Sequence, residues 1–180
     1  MPAKDRGDPH QRAGCVARLD QRQGTPGRHG RLKKRGKQSV GKSRGGWNTK
    51  IHLVAASERN AVIFSLSGGQ AGDAPEGRKL LLLRGKVKRR TLLLMDRAYE
   101  GNKTRKLAVQ LGYIPVVPPK SNRKKPWKYD KRAYKLRNEI ERIFRRIKRF
   151  RRVFTRHDKL DTMFSAFVLL AFIVDTLVKC

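Results

Sequence analysis

Apolar positions are spread unevenly along this chain. Over residues 1–46 they are sparse, set among Gly, Arg, Gln and Lys with neither a helical nor a strand period, so this segment is expected to be mostly disordered. The pattern changes at Trp47. Lys50-Ile51-His52-Leu53-Val54-Ala55 reads as a strand and Ala61-Val62-Ile63-Phe64-Ser65-Leu66 as its hairpin partner, joined by the polar Ser57-Glu58-Arg59-Asn60. Residues 68–75 read as a loop and 76–83 as a short helix. Thr91-Leu92-Leu93-Leu94-Met95 is a near-continuous apolar run ending in Asp96, the pattern of a strand buried on both faces with an acid at its carboxyl end. A helix is expected from Asn102 to Leu111, closed by Gly112, and a short strand at Ile114-Pro115-Val116-Val117. Pro118-Pro119 and the basic stretch Lys120 to Lys131 read as a connector. A long helix is expected over Arg132 to Arg152 and an apolar one over 162–178. This order of elements predicts a mixed α/β sheet covered by helices.

Composition narrows the partner. The 180 residues suit one domain; Lys and Arg total 45 against 14 acids, a formal net charge of +31. Small neutral substrates give no reason for such an imbalance, whereas a nucleic acid does. A hydrophobic content of 38% excludes a wholly disordered basic tail. Cys15 and Cys180 stand apart near the two ends, which suits a reducing setting, cytoplasm or nucleus. The apolar stretch Met163 to Val174 is bounded by Asp161 and Asp175 and falls short of the roughly 20 residues that span a bilayer, so no membrane partner is expected.

On the long helix, at about 100° per residue, Ile140, Ile143, Phe144, Ile147, Phe150 and Phe154 share one arc of roughly 120°. That arc is the expected core face. Tyr134, Arg137, Glu141 and Lys148 share an adjacent arc of about 60°. A solvated face with an ordinary Arg137–Glu141 pair has the same spacing, and Asp96 alone also suits a turn. Residues 36–43 match the literal P-loop pattern G-x-x-x-x-G-K-S, but no apolar strand precedes them, so no nucleotide site is expected. His10, His29, His52 and His157 lack zinc-ligand spacing with the cysteines. Phe164, Phe167 and Phe172 read as core packing. A basic nucleic-acid-binding protein without catalysis fits all of this.

Taken together, Tyr134, Arg137, Glu141 and Lys148 resemble the Y-R-E-K signature of bacterial insertion-sequence DDE transposases of the IS-four and IS-five grouping. Four other segments resemble that family in the same order: residues 42–52, 94–99, 118–123 and 152–160, so the likeness covers about residues 31–178. The resemblance implies an RNase H-like fold and a triad of two aspartates and a glutamate, with Asp96 as the second aspartate and Glu141 as the glutamate. These carboxylates would hold a pair of Mg²⁺ or Mn²⁺ ions, hard cations that take oxygen ligands and stabilise both attacking and leaving oxygens at phosphorus. Tyr134, Arg137 and Lys148, with Arg145, Lys120 and Arg123, would contact DNA. The implied partner is double-stranded DNA, both element ends and target, bound by a homodimer in the bacterial cytoplasm and nucleoid. The run Arg84 to Arg90 would add sequence-independent attraction.

The chain departs from the family at one decisive place. The first aspartate belongs on a strand upstream of residue 31, yet residues 18–30 offer no apolar run, and Asp20 is the nearest acid. One permitted choice of codons for those residues, read one base later, gives Asp-Ser-Thr-Ser-Val-Lys-Val-His-Pro-Asp-Gly-Thr, which resembles the missing segment. The expectation is therefore an out-of-frame, disordered segment over 1–30, a basic linker over 31–46, and an incomplete catalytic domain over 47–180. The first strand should be missing, leaving its neighbour with an unpaired edge. Gly72 stands where the family carries His before the acid matching Asp73, and residues 78–90 look shortened. With a carboxylate absent, the chain as written should not transpose.

Overall fold

The computed structural model describes residues 14–23 and 38–178. Expectations that fall on other residues, such as His10, His29, Cys180 and the start of the P-loop match, lie outside the described part. Seven strands form one sheet: β1 (Gly14–Gln23), β2 (Gly41–Ser43), β3 (Gly46–Ser57), β4 (Asn60–Gly68), β5 (Thr91–Met95), β6 (Tyr113–Val116) and β7 (Thr155–Arg156). The helices are α1 (Asp73–Arg84), α2 (Asn102–Gln110), α3 (Lys131–Lys135), α4 (Asn138–Ile147), α5 (Arg151–Phe154) and α6 (Asp161–Leu177).

β3 forms antiparallel ladders with β1 on one edge and with β2 and β4 on the other. β5 then pairs parallel with β1, and β6 parallel with β5. The mixed α/β sheet with helices on its faces is thus as the sequence predicts. Alternation sorts the side chains cleanly. Ala17 and Leu19 of β1, Ile51, Leu53 and Ala55 of β3 and Leu94 of β5 pack on one face against α4, α5 and α6 through Ile140, Ile143, Phe144, Ile147, Val153, Phe164 and Val168. Val16, Val54, Leu93 and Met95 face the other way, against Leu80 and Leu81 of α1 and Ala108 of α2. β5 is apolar at successive positions because both its faces are covered.

Three expectations are corrected. The first strand is present: β1 is ordered and central, and β3 therefore has no open edge there. It forms without a long apolar run because its neighbours supply both ladders and partner its polar side chains. Arg18 pairs with Asp73, and the buried Gln21 amide donates to the Val153 and Phe154 carbonyls at 2.6 Å. Secondly, residues 38–46 are not a loose linker. Ser39 N–H donates to the Asp161 carboxylate (2.8 Å), its carbonyl accepts from Thr49 Oγ1 (2.6 Å), and β2 follows at once. Thirdly, the long helix is broken. Asp130 caps α3 through the N–H groups of Arg132 and Ala133, and a tighter turn at residues 136–137 leads into α4. At Phe150 the backbone is extended (φ −76°, ψ 110°), which resets the helical phase. Val153 is consequently buried, and Phe154, expected in the core stripe, is 56% exposed.

Candidate active site

The sheet opens where β5 ends. Asp96 N–H donates to the Val16 carbonyl (3.1 Å), the last bond between these strands, and its carboxylate accepts from Arg97 N–H (2.7 Å), capping a single 3₁₀ turn over Arg97–Tyr99. β1 next meets a strand on that edge at Arg22, opposite Thr155 of β7. Between these points, residues 17–21 of β1 border a gap in the sheet.

The α3–α4 turn brings the sequence-predicted cluster to the same place. Arg137 Nη1 donates to Glu141 Oε1 (2.6 Å), and the Arg137 guanidinium lies 5.5 Å from the Tyr134 ring centroid. Burial opposes the Arg137 charge, but the bond to Glu141 and the nearby Tyr134, Glu141 and Asp96 groups outweigh it, so its pKa is raised. Burial also raises the Tyr134 pKa, with Arg137 opposing and Asp96 adding to the rise. Asp96 is therefore within electrostatic reach of Arg137 and Tyr134, and Arg137 in turn pairs with Glu141. Arg145 and Lys148 are exposed one and two turns further along that helix. Lys120 is exposed on the loop after β6, and Arg123 is half-buried beside Glu100, 3.0 Å away.

The residues present do not fit a pair of divalent cations. The β1 side chains on the Asp96 face are Ala17 and Leu19, which are 4% and 6% exposed and carry no oxygen, and Gln21, a neutral amide turned to the Val153 and Phe154 carbonyls. The β1 acid, Asp20, points to the opposite face, where it lies opposite Lys50 and pairs with Arg18 at 3.5 Å. Arg18 and Lys50 both reach Asp73, the latter at 3.0 Å, so that acid is neutralised too. Arg137 already neutralises Glu141. Among the described residues no group of three or more His, Cys, Asp or Glu is placed to hold a metal.

Sequence reasoning missed several buried polar contacts. His52 bonds Tyr99 OH through Nδ1 (2.8 Å) and Ser67 Oγ through Nε2 (2.7 Å). Burial lowers the His52 pKa, against the opposing pull of Asp73 and Glu76, so the ring is held neutral. Arg156, fully buried, donates to Thr49 Oγ1 (2.8 Å), Asp161 Oδ1 (2.7 Å) and the Asp158 carbonyl (3.0 Å), closing the C-terminal helices onto the sheet. Its only signal in the sequence is membership of the 152–160 segment.

An antiparallel β1–β3–β4 meander followed by parallel β5 and β6, with one acid at the end of β5 and another on the covering helix, defines the RNase H-like class. The cryo-EM structure of the piggyBac transposase synaptic complex with hairpin DNA shares this fold with a TM-score of 0.58 at 8% identity, covering 92% of this chain. The chain spans 46% of that protein's length. The family model described as the transposase DDE domain matches residues 21–174, and the chain belongs to this family. The match starts within β1, upstream of where the resemblance became readable. A relative from Brucella ovis (strain ATCC 25840 / 63/290 / NCTC 10512), described as the candidate transposase for insertion sequence element IS6501, is 31% identical over 124 residues, 68% of this chain and 93% of the relative. The family's chemistry is phosphodiester cleavage and transesterification in DNA transposition. Among the described residues, no helix is long and apolar enough to cross a membrane.

Proposed function

We propose that this chain is an insertion-sequence transposase copy that binds double-stranded DNA, element ends and target alike, but does not cut it. Asp96 and Glu141 are the second and third acids of the triad, and Tyr134, Arg137, Arg145, Lys148, Lys120 and Arg123 are its DNA contacts. In a complete site, three carboxylates would hold Mg²⁺ or Mn²⁺, which would supply water activation and charge neutralisation at the scissile phosphorus. Here the carrying observation is that β1 presents Ala17 and Leu19 to Asp96 and turns Asp20 away. DNA attraction needs only cationic side chains, and a net charge of +31 supplies it. A pair of copies, one on each element end, is the stoichiometry this reading carries. We infer that β1 is read out of frame with the domain that follows, and that the shift lies upstream of residue 31.

The test is a cleavage assay on a plasmid carrying the gene with its genomic flanks, in Mg²⁺ and then Mn²⁺. The chain as written should retard the plasmid in a gel and leave it uncut. Metal-dependent cutting that disappears in Asp96→Ala would overturn the reading. Resequencing the gene across residues 10–45 tests the frame separately: no frame yielding an aspartate-bearing strand would refute that part.

A further inference from the structure

We propose that Arg105, Arg123 and Trp127 form an anchor for a backbone phosphate of duplex DNA, at the same carboxyl end of the parallel strands as Asp96 but on the α2 side of the sheet; this deepens, and rests on, the DNA-binding reading above. The Trp127 ring carries two cations. Arg105 Cζ lies 3.9 Å and Arg123 Cζ 4.2 Å from its centroid. The indole N–H donates to the Val117 carbonyl (2.8 Å), which fixes the ring just beyond the carboxyl end of β6. One cation on an indole is a common structural pin. A second adds repulsion, and the single carboxylate at hand, buried Glu100, lies 3.0 Å from Arg123. Burial and then Arg123 itself work against the Arg105 charge, with Glu100 only partly compensating.

Two further observations suggest an acceptor from outside the protein. Arg105 Nε is buried without a hydrogen-bond partner. Arg123 also donates to the Asn102 side-chain oxygen at the first residue of α2, a helix start with no side-chain cap and no acid in its first turn. The Arg123 guanidinium fork therefore stands at this helix start and, with that of Arg105, on the Trp127 ring. A phosphate supplies several oxygens at the geometry such forks prefer, and it removes the repulsion between them. The position suits DNA: α2 begins immediately after the Asp96 turn, and Trp127 follows β6, so the anchor lies at the carboxyl ends of the parallel strands. An open groove of about 350 Å³ lined by Arg105, Lys106, Val109, Gln110 and Pro115 continues from it along α2.

The experiment measures binding of a short duplex to the full chain by anisotropy across a range of salt. The Arg105→Gln/Arg123→Gln double variant should weaken binding and reduce the slope of log K against log salt by about 0.9 for each phosphate lost. Arg142→Gln, which removes a charge paired with Glu58 on α4, should leave the slope unchanged. A second readout keeps the anchor intact: in a Trp47→Phe chain, Trp127 emission should change with duplex concentration at the same midpoint as anisotropy. Parent-like slope in the double variant, or constant Trp127 emission at saturating duplex, overturns the anchor alone. Failure of the parent chain to bind duplex overturns the DNA-binding reading and the anchor with it.

Discussion

On the proposed function, replacing Leu19 by Asp should supply the carboxylate that the metal site is missing. Leu and Asp are close in size, so the substitution changes chemistry more than volume, and Leu19 borders the gap between the ends of β5 and β7 on the Asp96 face. Without metal the variant should be less stable. It loses a leucine that is 6% exposed, worth about 1.5–3 kcal/mol, and places a carboxyl in apolar surroundings. Metal binding returns stability as RT ln(1 + [M]/Kd), about 2.7 kcal/mol at a hundredfold excess over Kd. For a domain of this size that is a rise of roughly 5–10 °C in Tm. The assay is thermal unfolding with and without Mn²⁺, on the parent, Leu19→Asp and Leu19→Asp/Asp96→Asn. Only the middle protein should respond. Ala17→Asp, level with Asp96, provides a second placement of the same group. A parent response that disappears with Asp96→Asn would show that a metal site already exists and refute the reasoning. No Mn²⁺ response in either aspartate variant would refute the placement of the gap.

Two other outcomes follow from the α1 face of the sheet. Alanine normally stabilises a helix interior relative to glycine by about 0.5–1 kcal/mol, but a Cβ on Gly77 would overlap Tyr99 Cδ1 and lie 2.7 Å from Cε1, and that ring is tethered to His52. Gly77→Ala should therefore destabilise by about 1–3 kcal/mol in urea unfolding; a stabilised variant would show the ring free to move. The lowered His52 pKa gives the second. Below about pH 6.5 the unfolded chain protonates this histidine while the folded chain resists, so the unfolded state binds more protons and stability falls as pH drops through that value toward the folded pKa. His52→Gln should flatten this part of the urea-midpoint profile, and an unchanged profile would assign the slope to other groups.

Much of this fold is legible because the elements that carry it state their own period. Strands 50–55, 61–66 and 91–95 and the helix ending at Gly112 stand close to where alternation, apolar runs and a positive-φ glycine (φ +87°) put them. The Arg137–Glu141 pair is legible for the same reason, its i,i+4 spacing, whereas Tyr134 reaches Arg137 only through the tighter turn between α3 and α4. β1 is not legible. Its apolar content is short and interrupted by Arg18 and Asp20, and what makes it a strand is the pair of neighbours offering it two ladders, a property of distant sequence. The break at Phe150 and the Trp127 cluster fail to read out in the same way. Arg105 and Trp127 belong to different elements, and only the closing of the loop after β6 brings them together.

The contrast between a surviving sheet and an unfit site has a single physical origin. A strand joins a sheet through its backbone, and that pairing is indifferent to which side chains alternate above and below. Residues 14–23 can thus fill the central position beside β3 and β5 with a sequence unsuited to chemistry, provided small or apolar groups such as Ala17 and Leu19 meet the α4 face. Side-chain chemistry has no such tolerance. Because the period is two, a carboxylate displaced by one residue points to the other side of the sheet, as Asp20 does toward Arg18 and Lys50. The cationic DNA surface has no comparable register requirement, since attraction to a phosphate backbone sums over many charges. On the proposed function, a change confined to β1 would remove cutting while leaving fold and DNA attraction in place, so a bound but non-cleaving copy is what that reading predicts of this sequence.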